Sequence, residues 1–502
     1  MDTKSINNKY SVVCFCISLA FFVLLVASKS SFLYPFNDWV DVQCFYTVGE
    51  GMMNGLVPYK DLVEQKGPYV YLVYGIASMI SGTNCWGGFI LEVVAGSFFA
   101  YFTYNILGLY TKNYKLLSTT ILVVITYVSP AFAHGGSVEE LCLPLLAYGV
   151  LSFLKILFYE EQINLTKVCF INGIIIGVLA LTKYTLLGVH FAGSLLVLVT
   201  YIYQKKYKEL GKMISIVLAG ILCAVLPWVI YFICADGLKD FWEWYFYNNL
   251  MLYSDIPAVS IKDQILNVIE GIVYAGNSNN LIFLVVICFV GIGLNIKGKR
   301  KFLESIAVLI IMVFAAMFIY TGGRMYIYYA LPLMVVIIPG IGMLLKYIPA
   351  IEIKGIMKKV VPLILLGISI VITITQSENI YMMSHEKKDL PQYKFAEIIN
   401  KKENATLLNY GFLDGGFYSV ADILPSERYF CRLNVFNEEL IKQSQVPIIK
   451  NEVDFVVIRG SGDKQFLTQC GYKEIDNAFL FFEGNLFTYY LYEKPEVSVK
   501  IQ

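Results

Sequence analysis

Eleven hydrophobic segments of membrane-spanning length constrain the fold of this 502-residue chain more than any other feature. A helix needs about 20 predominantly apolar residues to cross the hydrocarbon core of a bilayer. Hydrophobic residues make up 57% of the chain and charged residues 15%, against roughly half and a quarter in soluble domains. The segments lie at 11–28, 84–109, 117–133, 138–158, 168–182, 186–203, 213–234, 280–296, 303–320, 327–345 and 360–376. The sequence therefore predicts an α-helical polytopic membrane protein with about 11 transmembrane helices.

Charge and short motifs exclude several classes of function. The formal net charge is +1, which offers no electrostatic basis for a nucleic-acid partner. The chain has no Walker A, GxSxG, HExxH or dinucleotide-binding fingerprint. His134, His190 and His385 are too dispersed to form a metal-ligand pattern.

The distribution of lysine and arginine predicts the orientation. With a cytoplasmic N-terminus, the inner loops hold 18 of these residues and the outer loops, counted as far as Met325, hold seven, as the positive-inside rule requires. The first span, Tyr10–Ala27, is interpreted as an uncleaved signal anchor. The short apolar stretch 69–81 would reverse this pattern as a full span, so we expect it to be an interfacial or re-entrant helix. An odd number of spans leaves residues 377–502 outside the cell membrane, in a protein that we expect to be bacterial.

Residues 377–502 read as a small extracytoplasmic α/β domain, after a transmembrane domain at 1–376. Short aromatic or β-branched runs bounded by Gly, Asp and Asn predict strands, and the segments 394–402 and 437–445 read as helices. Cys431 and Cys470 lie in this domain and could pair, which spacing alone does not decide. The predicted strands are TLLNYGF, DFVVIRG, LFFEG and TYYLYEK.

The first outer loop, residues 29–83, carries the leading candidates for catalysis. Asp38 and Asp41 follow the first span, and apolar residues recur at +4, +7 and +11 from Asp41, which indicates one face of an interfacial helix. Both carboxylates would also stabilise the start of that helix, with Asp38 as the N-cap residue. We favour this capping role for Asp38 and a functional role for Asp41.

Three cations are candidates for binding a phosphate group. Lys66 stands in QKGPY, where Pro68 fixes the chain, although a lysine at a membrane rim also snorkels without any further function. Lys183 closes the fifth span and Arg324 follows a Gly-Gly pair before the tenth. Each alone is an ordinary helix-end cation, but together they would suit a phosphate or diphosphate.

Three glutamates complete the set of candidate residues. Glu139 and Glu140 open the fourth span, where Ser137 as N-cap and favourable helix-end electrostatics would explain them equally well. Glu92 lies about two turns inside the second span. An ionisable group at that depth indicates function, unless a Tyr or Ser hydroxyl satisfies it.

The first outer loop resembles that of the GT-C superfamily of membrane glycosyltransferases. The resemblance covers about residues 30–345 and is nearest to the bacterial relatives of protein O-mannosyltransferases and the lipid A aminoarabinose transferase. In that family an early Asp of the loop is the catalytic carboxylate, followed by an apolar helix face, a Gly and a K-P-P type motif. The same order here is Asp41, Phe45, Val48, Met52, Gly55 and Lys66-Gly67-Pro68.

The resemblance implies a role for several of these residues. Asp41 is the expected catalytic residue, Lys66 with Arg324 and Lys183 the lipid-phosphate-binding set, and Glu139 or Glu140 an acidic residue of a later outer loop. Asp38 and Glu92, which the resemblance does not cover, join Glu139 and Glu140 as candidates for a supporting acidic or acceptor site. The family often has Glu before the lysine and a His-Tyr pair after the arginine. This chain has Gln65 and Tyr328-Tyr329 instead, which disfavours the alternative of a divalent metal cofactor.

The implied activity is inverting transfer of a hexosyl or pentosyl group from a polyprenyl-phosphate donor. The acceptor would be a hydroxyl on the outer face of the membrane, in a cell-envelope glycan, lipid or protein. A transporter or flippase for a lipid-linked saccharide is one alternative, but transporters often contain internal repeats and none is visible here. A polysaccharide polymerase or ligase and a non-enzymatic scaffold are the others.

Overall fold

The structure is a computed structural model that describes residues 3–81, 83–159, 163–251, 260–279, 281–349, 355–434, 438–482 and 484–495. Side chains are described within these ranges except for residues 3–9 and 438. Parts of three predicted loops, at 160–162, 252–259 and 350–354, lie outside the described residues. So do residue 280, the first of a predicted span, and residue 437, the first of a predicted helix.

The described chain is mainly helical. Its helices are α1 (Thr3–Ala27), α2 (Val40–Met53), α3 (Pro68–Ile80), α4 (Trp86–Gly108), α5 (Lys115–Val128), α6 (Val138–Phe158), α7 (Leu165–Ala180), α8 (Gly188–Tyr203), α9 (Tyr207–Cys234), α10 (Leu238–Phe241), α11 (Asn248–Met251), α12 (Ile261–Ser278), α13 (Ile282–Leu294), α14 (Lys299–Tyr320), α15 (Leu333–Leu345), α16 (Met357–Gln376), α17 (Pro391–Ile399), α18 (Phe417–Ala421), α19 (Glu438–Ile449) and α20 (Lys464–Gln469).

Contacts divide the chain into two compact units. The helical unit comprises residues 1–28, 89–230 and 254–380. The mixed unit comprises residues 29–88, 231–253 and 381–502. The segment after α1 therefore packs with the C-terminal residues in one unit, although more than 290 residues of chain separate them.

The helical unit contains most of the helices that meet the requirements of a membrane span. Among the described residues, eight helices are long and apolar enough, and the pair α12 and α13, bent by 115°, would make a ninth. The predicted spans 117–133 and 168–182 fold as α5 and α7, which have 14 and 16 residues and are shorter than the helices that could cross a membrane. The polytopic helical fold is confirmed, and the count of eleven spans stays a prediction.

Helix α12 was not predicted from the sequence. Its apolar residues recur at 261, 265, 269, 272 and 273, but lysine, aspartate, asparagine and glutamate interrupt them. These polar residues lower the average hydropathy below that of a span, while the helical period is kept. The periodicity of the segment was thus the available signal, and its hydropathy was misleading.

Close backbone packing at glycine explains several helix contacts of the helical unit. A Cβ atom on Gly173 of α7 would lie 2.2 Å from the carbonyl oxygen of Val217 in α9. One on Gly291 of α13 would lie 1.9 Å from the carbonyl oxygen of Gly340 in α15. Small residues let helix backbones approach this closely, which favours association where lipid replaces water.

In the mixed unit, α2 and α3 form a pair of short helices in tight contact. A Cβ atom on Gly49 of α2 would lie 2.4 Å from the backbone nitrogen of Gly75 in α3. The predicted interfacial helix that begins near Asp41 is α2, and the predicted short helix at 69–81 is α3. The structure thus confirms both as helices.

The C-terminal part of the mixed unit contains a four-stranded sheet. The strands β1 (Leu407–Tyr410), β2 (Phe455–Arg459), β3 (Lys473–Phe482) and β4 (Asn485–Glu493) are arranged in the order β1-β2-β4-β3. Strands β1 and β2 are parallel, and the other neighbours are antiparallel. Each strand overlaps one of the four predicted runs, and α17 and α19 overlap the two predicted helices.

Helices pack against both faces of this sheet. Ile448 of α19 belongs to a buried cluster with Leu408, Val456 and Ile458. On the other face, the ring of Phe417 in α18 lies 5.7 Å from that of Tyr489 in β4. Alternate side chains of a strand point to opposite faces, so two apolar layers keep this sheet between helices.

Candidate functional site

Asp41 lies in the first turn of α2, as the sequence predicts. Its side chain is half-buried, and Phe45 follows one helical turn later on the same face. The ammonium group of Lys66 lies 5.6 Å from the centre of the Phe45 ring. The structure therefore places Lys66 against the face of α2 that carries Asp41.

The position of Lys66 is fixed by its backbone. The hydroxyl of Tyr59 donates to the Lys66 carbonyl at 2.5 Å, and that of Tyr71 lies 2.9 Å from the same oxygen. Glu64 accepts a hydrogen bond from the Lys66 N–H at 2.8 Å and another from the Tyr71 hydroxyl at 2.5 Å. These hydrogen bonds restrict the directions in which the lysine side chain can leave the short loop.

An aromatic segment completes the surroundings of this loop. Residues 242–247 form a π-helical turn, followed by α11, in which the Asn249 amide donates to the Gln65 carbonyl at 2.7 Å. Tyr59 is fully buried, and its ring lies 5.5 Å from that of Phe241. It also has a φ of +70°, which costs a non-glycine residue about 1–3 kcal/mol and persists only where the surroundings impose it. The Lys66 loop is thus a preorganised element.

Asp38 does not cap α2, so the predicted capping role is wrong. The N-cap residue is Trp39, which makes no side-chain capping bond. Asp38 instead pairs with the Lys29 ammonium at 2.8 Å, and both side chains are fully buried. Lys29 also donates to the Tyr381 hydroxyl at 3.0 Å. Burial alone would lower the pKa of Lys29, but Asp38 and Tyr381 attract its proton strongly enough to raise that pKa.

Glu139 and Lys183 form an ion pair within the helical unit. Glu139 lies in the first turn of α6, and Lys183 lies between α7 and the 3-10 turn Tyr184–Leu187. The Lys183 ammonium also lies 3.9 Å from the centre of the Tyr329 ring and 5.7 Å from that of Tyr328. The structure thus brings together two predicted residues and the tyrosine pair that replaces His-Tyr.

Arg324 is connected to the same cluster through aromatic contacts. Its guanidinium donates to the Tyr326 hydroxyl at 3.1 Å. The Tyr326 ring stacks on that of Tyr328, with centroids 5.5 Å apart and planes inclined by 12°. Glu139, Lys183 and Arg324 therefore line one tyrosine-rich cluster of the helical unit, which we call the tyrosine cluster.

Glu92 and Glu140 are close enough to influence each other electrostatically. Both are buried, Glu92 within α4 and Glu140 in the first turn of α6. Glu140 accepts a hydrogen bond from the Gly136 N–H at 2.7 Å, and its own N–H donates to the Ser137 side chain at 2.9 Å. The predicted cap at Ser137 is confirmed, and it accounts for the backbone of Glu140 but not for the burial of both carboxyl groups.

Several further residues contact these sites, although no sequence motif indicated them. Lys29 is the first residue of the predicted first outer loop, and Tyr59 and Tyr71 belong to that loop, but no motif marks any of the three. Cys431 lies 3.8 Å, sulfur to sulfur, from Cys44 of α2, so its nearest recorded thiol is not that of Cys470. Within the described ranges, no group of three or more His, Cys, Asp or Glu residues could hold a metal ion.

The helices and the small sheet define a multi-pass membrane fold, and two solved structures share it. These are the structures of ArnT, the lipid A aminoarabinose transferase, from Cupriavidus metallidurans, bound to undecaprenyl phosphate and in the apo state. They align with TM-scores of 0.60 and 0.59, and each alignment covers 93% of this chain and 96% of that one.

The sequence identity in both alignments is 11%, so the likeness is one of fold. No protein-family model matches the chain, and none of the curated proteins compared with it matches significantly. The fold expected from the resemblance is thereby confirmed, since an alignment at TM-score 0.60 extends over almost the whole of both chains.

Proposed function

We propose that this protein is an inverting glycosyltransferase that moves a sugar from a polyprenyl-phosphate donor to an acceptor hydroxyl at the outer face of the membrane. The observation that supports this proposal most directly is the preorganised Lys66 loop against the Asp41 face of α2. It occurs in a fold shared with ArnT, which has been solved with undecaprenyl phosphate bound. The proposed acceptor is a glycan, lipid or protein of the cell envelope.

In the proposed reaction, Asp41 acts as the general base. Its carboxylate takes the proton of the acceptor hydroxyl while the acceptor oxygen forms a bond to the anomeric carbon of the donor sugar. The bond between that carbon and the phosphate oxygen breaks, and the polyprenyl phosphate leaves with the bonding electrons. A half-buried carboxylate suits this role because it is accessible to a substrate and shielded from bulk water on one side.

Lys66 is proposed to stabilise the phosphate as it leaves. Negative charge grows on the phosphate oxygens in the transition state, and a fixed cation stabilises that charge more than it stabilises the ground state. The hydrogen bonds of Tyr59, Tyr71 and Glu64 fix the backbone before the donor arrives. Little reorganisation is then needed at the moment of reaction.

Lys183 and Arg324 are proposed as further lipid-phosphate ligands, as the sequence predicts. Lys183 is already paired with the carboxylate of Glu139, and its ammonium lies over the ring of Tyr329. Arg324 offers a planar guanidinium that can bind phosphate oxygens in a bidentate manner. Of the two, Arg324 is therefore expected to contribute more to phosphate binding.

The proposal is tested with purified full-length protein in detergent or nanodiscs. Polyprenyl-phosphate sugars are supplied with a membrane-glycan extract as acceptor, and released polyprenyl phosphate is measured. Asp41→Asn should lower release by about 100-fold or more, the contribution expected of a general base. Asp236→Asn is the matched control, because Asp236 belongs to the same unit and its side chain is fully exposed. Equal activity of Asp41→Asn and the wild type would overturn the catalytic role.

Lys66→Ala should raise the donor concentration needed for half-maximal release and lower the maximal rate, with no change in acceptor dependence. Lys401→Ala, an exposed lysine of the mixed unit, is the control. A variant that changes only the acceptor dependence would contradict the assignment of Lys66 to the phosphate.

A further inference from the structure

A cavity of about 500 Å³ lies in the C-terminal part of the mixed unit. Its walls include Tyr410 at the end of β1, Gly411 after it, Arg459 at the end of β2, and Gln445 of α19. Strands β1 and β2 are parallel, so both present their carboxyl ends to this cavity. Open α/β sheets bind ligands in the crevice at this edge, because the loops that follow the strands diverge there.

Two guanidinium groups line the cavity, those of Arg432 and Arg459. Among the described residues of its lining, Asp463 is the one carboxylate, so the two arginines outnumber it. Neither guanidinium appears in an ion pair with a described carboxylate of the mixed unit. The described walls therefore carry an excess of positive charge.

Arg459 is held in place by aromatic rings. Its guanidinium carbon lies 4.7 Å from the centre of the Phe487 ring and 5.2 Å from that of Phe412. Contacts of this kind orient the planar fork of an arginine without consuming its hydrogen-bond donors. The fork can then meet a phosphate or carboxylate through two parallel hydrogen bonds.

Asp463 also lines the cavity, where its carboxylate lies close to Gly411. A Cβ atom on Gly411 would lie 2.5 Å from the Asp463 carboxylate, and Gly411 has a φ of +85°. The charge of Arg432 lowers the pKa of Asp463, but burial is the larger effect and raises it overall. As the one carboxyl group among the described lining residues, Asp463 can form a hydrogen bond with a sugar hydroxyl.

The remaining lining is suited to a neutral polar ring. The Gln445 amide donates to the Tyr410 hydroxyl at 3.0 Å, and Tyr429 and Ser444 add further hydroxyl groups. Hydroxyl and amide groups beside aromatic rings can bind the hydroxyls and the apolar face of a sugar. The volume falls within the range of about 300–1,000 Å³ that small-molecule sites occupy.

We propose that this cavity is a binding site for a saccharide that carries an anionic group, either a phosphate or a carboxylate. Arg432 and Arg459 bind the anionic group, and the Tyr410, Gln445 and Asp463 side binds the sugar hydroxyls. The proposal goes beyond the transfer reaction, because it concerns residues other than those assigned to catalysis. Binding is measured without a donor, so its failure and a failure of transfer are distinguishable.

The test is isothermal titration of the full-length protein in detergent with four probes: glucuronate, glucose 1-phosphate, glucose and inorganic phosphate. At least one of the two anionic sugars should bind at one site and at least tenfold more tightly than glucose and inorganic phosphate. Raising the salt concentration should weaken this binding, since charge contributes to it. Which anionic sugar binds better distinguishes a carboxylate ligand from a phosphate ligand.

Two variants assign the binding to the cavity. Arg432→Gln should weaken the anionic sugar at least tenfold, and because Arg432 is exposed, this substitution should leave the fold intact. Arg459→Lys keeps the positive charge but removes the planar guanidinium that forms two parallel hydrogen bonds, and should also weaken binding. Lys450→Gln removes the same charge at an exposed position outside the lining and should have no effect.

Three results would overturn the proposal. The first is the absence of binding by both anionic sugars to a protein that melts like the wild type. The second is equal binding of inorganic phosphate and glucose 1-phosphate, with no binding of glucuronate, which would mark a simple anion site. The third is unchanged affinity of the sugars in both Arg432→Gln and Arg459→Lys.

Discussion

The two buried lysine–carboxylate pairs of this protein differ in their surroundings. Lys29 and Asp38 of the mixed unit are fully buried, and a third partner, Tyr381, also accepts from Lys29. Lys183 and Glu139 of the helical unit retain 13% and 3% exposure and lie beside the tyrosine rings. An enclosed pair can contribute only to structure, whereas an accessible pair can exchange partners with a ligand. The comparison teaches that an ion pair alone does not identify a functional lysine, because the exposure and the surroundings of the pair also have to be considered.

Removing one member of the enclosed pair should have the largest effect on stability. Lys29→Met leaves Asp38 charged and buried, which costs about 3–5 kcal/mol. Thermal denaturation in detergent measures the loss. The double variant Lys29→Met, Asp38→Leu should recover most of it, because it leaves no uncompensated charge. A single variant as stable as the wild type would contradict the enclosed, structural character of this pair.

Breaking the accessible pair should lower the stability of the fold less than breaking the enclosed pair, and should affect donor use more. Lys183→Met removes a charged hydrogen bond worth about 1.5–3 kcal/mol, and the remaining exposure of the pair reduces that loss. We expect a smaller shift in melting temperature than for Lys29→Met, together with weaker use of the polyprenyl-phosphate donor. If Lys183→Met lowered the melting temperature as much as Lys29→Met and left donor use unchanged, both pairs would be structural.

Glu50 of α2 is a third case, a carboxylate without a cation partner among the described contacts. Burial and the nearby Asp422 raise the pKa of Glu50 to about 7. The folded protein therefore binds a proton that the unfolded chain releases near pH 4.5, and this contribution to stability is lost as the pH rises through about 7.

Glu50→Gln should flatten that dependence. At pH 8 the variant should melt higher than the wild type by roughly 1–2 °C, and at pH 5 the two should agree. Melting curves at several pH values in one detergent check this expectation. A variant that follows the wild-type pH profile would show that Glu50 is not the titrating group.

Much of the fold was predictable because its signals are local. Apolar length marked most of the helices, the period from Asp41 marked α2, and short aromatic runs marked β1 to β4. Helix α12 was missed because its polar residues lower the average hydropathy, although its apolar residues keep the helical period. The count of spans was less accessible, since α5 and α7 have only 14 and 16 residues and are shorter than the helices that meet the length of a span.

The sites were predictable only in part, because their partners are distant in sequence. The QKGPY motif identified Lys66, and the structure adds Tyr59 and Tyr71, which no motif indicated. Asp38 was interpreted as a cap because it precedes the predicted helix, and nothing in the sequence marked Lys29, nine residues earlier, as its partner. The tyrosines around Lys183 come from another helix region, and sequence spacing carries no record of that contact.

The Lys66 carbonyl oxygen contacts the hydroxyl of Tyr59, seven residues before it, and that of Tyr71, five residues after it. Both hydroxyls can reach this one oxygen only if the chain between Tyr59 and Tyr71 has its present length. Inserting or deleting one amino acid between them would rotate the peptide bond away from at least one ring. The stretch from Tyr59 to Tyr71 should therefore tolerate many changes of side chain but very few changes of length.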